Sequence, residues 1–500
     1  MRALGPEEAR AADARTIAAG TPGLALMERA SEAVARECVR AIGARPLRGE
    51  RVVVLCGAGN NGGDGFGAAR LLAASPSVGD VRVLLLGRRE RVGGDAAEML
   101  RRLEGTRAGV EEAADEAGLA PLAGATLVVD ALFGTGLTRP LAEGSLHARA
   151  AALASTRRAF VVAVDLPSGL DAGSPAASGT HVRADVTVTF GFPKLAHLLP
   201  PAAGSCGRVV VADIGLLPDE GTAGPEAVTA RDVAPLFPRR PFAAHKGTYG
   251  TLGVVGGAPG MAGAAALAAR AAFRSGAGKV VVVASEASRA SVHALLAEAT
   301  TAAVVPESGL SALAVGPGLG TAGASREALA SAIAAELPAV FDADALNLLA
   351  GRPGALGGRS APTVLTPHPG EASRLLGVSA REVVDDPERA ARRLAEAAGA
   401  VVVLKGFRSV VAGPGGRTAR VLAGNPGMAS GGSGDVLTGV VGALLGRGLP
   451  AWDAAAAGAF LHGLAGDLAA ERVGEEALVA SDVVAALPEA FLLVAESAFP

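Results

Sequence analysis

The sequence predicts an α/β protein of two domains, each built on a mainly parallel sheet with helices on both faces. Three observations predict it. Short valine-rich runs alternate with helix-like stretches of alanine and arginine, which is the pattern of βαβ units. Glycine and small polar residues follow the runs, where ligands of parallel sheets bind. The chain has 500 residues, too many for one ordinary domain, and the alternation breaks at residues 215–241, which are rich in proline, glycine and charge. The expected domains are residues 1–220 and 231–500.

In the first half the strand runs are RVVVLCG, VRVLLLG, TLVVDALFG, FVVAVDLPSG and VTVTFG. In the second half the pattern restarts with GTLGVVGG, GKVVVVAS, LAVGPGLG, AVFDADAL, TVLTPHPGE and VVVLKG, and a helical tail follows from about Asp435. No period of about 20–50 residues recurs, so a repeat architecture is excluded. A net charge of -3 and 3% aromatic residues argue against a nucleic-acid surface. The three cysteines, Cys38, Cys56 and Cys206, fit no metal or disulfide spacing and suit a reducing compartment. The opening MRALGPEEARAADAR has no signal-peptide core, and no run of about 18 apolar residues suggests a membrane span. A cytoplasmic protein without nucleic-acid or membrane partners is expected. Only four lysines occur, Lys194, Lys246, Lys279 and Lys405, which makes each worth inspecting against a background of arginine.

VVVLCGAGNNGGDGFGAAR, residues 52–70, carries Gly57-x-Gly59-x-x-Gly62 between a strand run and a helix. Glycines there let a backbone approach a pyrophosphate, and the helix offers free N–H groups, as in a Rossmann-like doubly wound domain. The spacing alone is a weak signal. The second strand ends in Gly87-Arg88-Arg89 rather than an acid, so a dehydrogenase using an NADP 2′-phosphate remains an alternative. Asn60, Asn61 and Asp64 put unusual polarity into the loop, and Asp130 and Asp165 end other strands, the second followed by Ser168. Such oxygens suit a hard cation. They serve equally as helix caps and turn formers.

NNGGDG, VVDALFGTGL, VAVDLPSGLD, VTFGFPK and the opening DARTIAAGTPGLALMERAS together resemble the NAD(P)H-hydrate epimerase family (the YjeF N-terminal domain) over about residues 10–215. The resemblance implies potassium held by Asn61, Asp130 and Ser168. It implies that Asn60, Asn61, Gly62, Gly63 and Asp64, with Gly134, Thr135, Gly136, Leu137, Thr138, Arg139 and Pro140, hold the hydrated nucleotide. Asp165 would be the acid–base group.

The second half is sharpest at AGNPGMASGGSGDVLTGVVGALL, residues 423–445. Its glycines precede a helix and can form an anion hole for phosphoryl charge, with Asp435 in the first turn. Asp435 could equally be an N-terminal helix acid, stabilising by roughly 0.3 to 1 kcal/mol. SGAGKVV is not a P-loop. HKGTYGTLGVVGG, AVGPGLG, TPHPGE and VVLKGFRS supply further phosphate-binding turns, with Lys246 and Lys405 as cations. Asp342 and Asp344 in FDADALN read as a metal site or as turn acids, and His368 as a turn hydrogen-bonder. The seven histidines show no zinc spacing.

HKGTYG, GPGLG, DADALN, LTPHPGE, LKG and NPGMASGGSGD, in that order, resemble the ADP- or ATP-dependent NAD(P)H-hydrate dehydratase family, a branch of the ribokinase-like fold. That resemblance implies contact of Ala264, Gly318, His368 and Asp435 with the hydrated nucleotide. It implies adenine nucleotide on Lys405, Gly406, Phe407, Arg408 and Ser409 and on the turn containing Gly424, Gly431, Gly432, Ser433 and Gly434. The two resemblances in one chain imply repair of hydrated NADH and NADPH: epimerisation of the R and S forms, and dehydration of the S form at the expense of ADP or ATP. Magnesium is expected with the nucleotide, ADP is the favoured donor, and relatives with this fold commonly form homo-oligomers. A ribokinase-like small-molecule kinase fused to a nucleotide-binding domain is the alternative.

Overall fold

The computed structural model describes residues 1–44, 50–156, 159–217 and 224–497. The chain divides into two compact units, one over Met1–Ala227 and one from Val228 onward.

The first unit carries strands β1 (Arg51–Cys56), β2 (Asp80–Leu85), β3 (Gly109–Glu112), β4 (Leu127–Ala131), β5 (Phe160–Val164), β6 (Val186–Phe190) and β7 (Arg208–Ala212). All pair in parallel, in the order β3-β2-β1-β4-β5-β6-β7. This is the doubly wound Rossmann order with one added strand, so the order reverses between β1 and β4 and opens a crevice at their carboxyl ends. The central strands are buried along almost their whole length because helices cover both faces. The helix Asn60–Ala74 lies close to the sheet because it is rich in glycine. A Cβ on Gly65 would come within 2.6 Å of Ala131 Cβ, and one on Gly67 within 2.1 Å of Ser31 Oγ on the neighbouring helix Gly23–Ala44.

The chain passes into the second unit within β8 (Glu226–Val228), the edge strand of a sheet otherwise made of β9 (Thr251–Val255), β10 (Lys279–Val283), β11 (Thr300–Ala302), β12 (Ala312–Val315), β13 (Ala339–Phe341), β14 (Thr363–Leu365), β15 (Val401–Leu404), β16 (Val410–Ala412) and β17 (Thr418–Val421). The order is β11-β10-β9-β12-β13-β14-β15-β16-β17-β8. Strands β9 to β15 are parallel, and the β15–β16–β17 meander is antiparallel. The order reverses between β9 and β12. Helices Ser433–Gly446, Ala451–Val473 and Ala480–Glu496 form the tail. The first of them packs at backbone distance on helix Ala262–Arg274, since a Cβ on Gly439 would lie 2.0 Å from the Ala268 carbonyl oxygen. Among the described residues, no helix is long and apolar enough to cross a membrane.

Candidate functional sites

At the β1/β4 crevice the first unit has a cavity of about 530 Å³, lined among others by Asn60, Asn61, Asp64, Gly134, Thr135, Gly136, Leu137, Asp165 and Lys194. The tight turn after β1 needs its glycines: a Cβ on Gly57 would lie 2.3 Å from the Leu132 carbonyl oxygen, and one on Gly62 would lie 1.9 Å from that of Gly57. Gly62 and Gly63 therefore support the wall from behind rather than line it. Thr138, Arg139 and Pro140 are exposed and stand outside the lining, so only the first half of the Gly134–Pro140 loop reaches the cavity.

Asp165 follows β5 with φ +65°, a left-handed backbone that turns its carboxylate into the crevice. Lys194 Nζ donates to Asp165 Oδ1 at 2.7 Å, Thr189 Oγ1 donates to the same oxygen at 3.0 Å, and the Thr135 N–H donates to Oδ2 at 3.1 Å. Burial pushes the Asp165 pKa up. The Lys194 charge and hydrogen bond, then His197 and the Thr135 N–H, overcome it and hold the carboxyl below its ordinary value. Asp64 has the opposite balance. Burial, then the charges of Asp165 and Asp13, push its pKa well above the ordinary carboxylate range.

Beneath the cavity Asp130 is fully buried and accepts from the Ser168 N–H at 2.8 Å, Ser168 Oγ at 2.7 Å and, at 3.4 Å, the Leu132 N–H. Among the described residues no cationic side chain pairs with it, and burial raises its pKa to about 6 against the Ser168 and Leu132 hydrogen bonds. Asn61 sits nearer the cavity: a Cβ on Gly134 would lie 2.8 Å from Asn61 Oδ1 and 2.9 Å from Asp165 Oδ2. Asn61 Nδ2 is buried without a partner.

In the second unit Asp435 lies in the first turn of helix Ser433–Gly446, after Gly432 with φ +90°. Lys405 follows β15, and its Nζ donates to Asp342 Oδ1 at 2.7 Å and stands 3.8 Å from Glu371. Thr438 Oγ1 donates to Asp342 Oδ2 at 2.6 Å. Gly434 fits beside this group, because a Cβ there would lie 3.1 Å from Lys405 Nζ and 3.4 Å from Asp342 Oδ2. Burial, then the Asp342 charge, raise the Asp435 pKa to about 7 although Lys405 pulls it down. His368 caps helix Pro369–Leu376, accepting the Gly370 N–H at 3.0 Å, with Nε2 3.5 Å from Glu371. Burial, then the charges of Lys405 and Arg374, lower its pKa below the ordinary imidazole value.

Ala264 and Gly318 meet at the β9/β12 reversal, where a Cβ on Gly318 would lie 3.1 Å from Ala264 Cβ. The Lys405–Ser409 turn closes on itself, with Ser409 Oγ donating to the Gly406 carbonyl at 3.1 Å; Phe407 is exposed and Arg408 buried. Gly424 and Asn425 are held by Asp467, which accepts the Gly424 N–H at 2.9 Å and Asn425 Nδ2 at 3.0 Å. Gly431 is exposed. The motif HKGTYG lies elsewhere. A Cβ on Gly250 would touch the Gly446 carbonyl oxygen, at the far end of the helix whose first turn holds Asp435. At 1.5 Å rise per residue that end is about 17 Å away, so Lys246 is not a phosphate ligand at the Asp435 site.

Two family models match the chain: one described as YjeF-related protein N-terminus over residues 23–196, and one described as NAD(P)H-hydrate dehydratase over residues 252–489. The bifunctional NAD(P)H-hydrate repair enzyme of Moorella thermoacetica is 39% identical over 498 residues, covering 93% of this chain and 92% of that protein. The chain belongs to the bifunctional NAD(P)H-hydrate repair enzyme family. The Escherichia coli (strain K12) member is 39% identical over 476 residues, covering 92% of this chain and 88% of that one. Among solved structures, the ADP/ATP-dependent NAD(P)H-hydrate dehydratase of Bacillus subtilis, co-crystallised with ATP and Mg2+, matches with a TM-score of 0.51 and 32% identity, over 55% of this chain and 100% of that one.

The structure also gathers around these sites residues that the sequence reading did not assign to them. Lys194, Thr189 and His197 surround Asp165, and Asp342, Glu371, Thr438 and His462 surround the Lys405–Asp435 cluster. The rarity of lysine singles out Lys194 and Lys405. No sequence signal distinguishes Thr189 or Thr438 from ordinary strand and helix residues. Asp342 proves to be the anchor of Lys405, and Asp344 a turn acid that accepts the Gly320 N–H at 2.8 Å.

Proposed function

We propose that this chain repairs hydrated NADH and NADPH, its first unit interconverting the R and S epimers and its second dehydrating the S epimer at the expense of ADP or ATP. The observation that carries the reading is the Asp435–Lys405–Asp342 cluster beside Gly434. It sets a carboxyl group poised near neutrality next to an ammonium and the N-terminal turn of a helix. Such a turn stabilises transferring phosphoryl charge, and the carboxylate takes the proton of the hydroxyl that is phosphorylated. Hydroxide leaves poorly and phosphate well, so phosphorylation makes the dehydration possible. Ala264, Gly318 and His368 join Asp435 in holding the hydrated ring. Lys405 to Ser409 and Gly424 to Gly434 hold the nucleotide, which brings Mg2+ on its phosphates.

In the first unit the lining residues from Asn60 to Asp64 and from Gly134 to Leu137 hold the substrate, and Asp165 moves the proton. Potassium fits Asp130, Ser168 and Asn61. The donors are all oxygens, the buried Asp130 carboxylate has only neutral partners, and the unpartnered buried amide of Asn61 leaves room for its oxygen to face a cation. The ion would supply the positive charge that keeps Asp130 ionised. We extend the proposal to a cytoplasmic setting, supported by three buried cysteines that fit no disulfide spacing, and to a homo-oligomer, which light scattering tests.

The test of the dehydratase reading is product analysis with hydrated NADH and either donor. One phosphate released per NADH formed is expected. A stable phosphorylated product would favour the kinase alternative.

A further inference from the structure

Asp64 is 9% exposed, and its carboxyl faces the same cavity as the Asp165–Lys194 pair. Among the described residues it is the one deeply buried carboxyl of that wall without a hydrogen-bond donor. Asp165 has three donors, whereas at Asp64 only the backbone carbonyl is engaged, by Ser31 Oγ at 3.1 Å. A buried carboxyl without donors or a cation stays neutral and keeps its proton to give. Burial and the neighbouring charges of Asp165 and Asp13 push its pKa in that direction.

The chemistry of the proposed epimerisation asks for such a group. Water adds to an enamine such as the dihydropyridine ring at the carbon beside nitrogen, so the hydroxyl and the ring nitrogen share one carbon. The nitrogen lone pair can expel that hydroxyl if an acid protonates it. The carbon–oxygen bond breaks, one water leaves, and a planar carbon–nitrogen double bond remains. Water then adds to the other face, a new carbon–oxygen bond forms, and a base takes its extra proton. Retention of the hydrogens on the adjacent ring carbon separates this from dehydration.

We infer that Asp64 is a second catalytic residue of this site, donating its proton to the departing hydroxyl while Asp165 takes the proton of the water returning on the opposite face. The inference rests on the proposed epimerase activity. One carboxyl cannot serve both faces of a ring, and two groups whose surroundings favour opposite protonation states divide the acid and base roles. Each turnover leaves Asp165 protonated and Asp64 ionised, which is the state needed for the reverse epimerisation.

The experiment compares the wild-type chain with Asp64→Asn, using purified R-form hydrated NADPH in water enriched in oxygen-18. Wild type is expected to form the S epimer and to place one solvent oxygen in it per inversion. Asp64→Asn, with an unchanged circular dichroism spectrum, is expected to bind the substrate within about threefold of wild type and to invert it at least 100-fold more slowly. Inversion by the variant within tenfold of wild type would overturn the role of Asp64, as would loss of binding equal to the loss of rate. Inversion by wild type without oxygen incorporation would overturn the pathway. A wild type that does not invert the substrate would overturn the epimerase reading itself.

Discussion

Lys405 Nζ lies 2.7 Å from one oxygen of the buried Asp342 carboxylate, and the Thr438 hydroxyl lies 2.6 Å from the other. The pair does two things for the second unit. It fixes the Lys405 ammonium beside Gly434, where phosphoryl charge is expected. It also places the Asp342 charge near Asp435, which adds to burial in raising that carboxyl to about 7 against the pull of Lys405.

Removing the cation from this pair leaves a buried carboxylate with only a hydroxyl donor. Lys405→Met is expected to destabilise the second unit by about 3 kcal/mol, the lower end for breaking a buried pair, because the lysine side chain is 21% exposed. Urea unfolding followed by the fluorescence of the chain's one tryptophan, Trp452, measures this.

The raised pKa of Asp435 sets a pH dependence. A base works only when ionised, so dehydratase kcat/KM is expected to fall as pH drops through about 7. Asp342→Asn removes the neighbouring negative charge and should move this limb to lower pH. Stability runs the other way. The folded chain binds this proton more tightly than the unfolded chain, so Asp435 makes the fold less stable as pH rises from the ordinary 3.8 to about 7. Asp435→Asn should abolish that slope and cut dehydratase turnover by about 10²- to 10⁴-fold.

Asp165→Asn separates charge from backbone. Asparagine tolerates the left-handed φ of +65°, so the turn after β5 is kept while Lys194 loses its anionic partner. Epimer exchange should fall by about 10²-fold or more. Thermal unfolding of the first unit should shift down, while the dehydratase rate on pure S epimer stays unchanged.

Potassium should act on the fold as well as on turnover. An ion bound to the native state raises the melting temperature in proportion to the logarithm of its concentration. Potassium chloride is expected to stabilise the first unit more than tetramethylammonium chloride at equal ionic strength, and Asp130→Asn should remove the difference.

Much of this was legible in the sequence. The valine runs marked the central strands because strands covered on both faces must be apolar throughout. The same rule explains what was missed. Strand β3, GVEE, is an exposed edge, and β16 and β17 have three and four residues, too short for a periodic signal. Asp130, Asp165 and Asp435 stood out because they lie at the ends of strand runs or after glycine turns. Asp342 was ambiguous because its role depends on Lys405, 63 positions away. Lys246 misled because a lysine in a glycine turn looks the same at either end of a helix.

The most direct test is to mix the purified chain with an epimeric mixture of hydrated NADH, Mg2+, K+ and either ADP or ATP, and to follow NADH absorbance together with phosphate. Full recovery of NADH with stoichiometric phosphate is the predicted result, since dehydration drains the S epimer and epimerisation refills it. Recovery that halts with the R epimer left over would contradict the epimerase half, and no recovery with either donor would contradict the dehydratase.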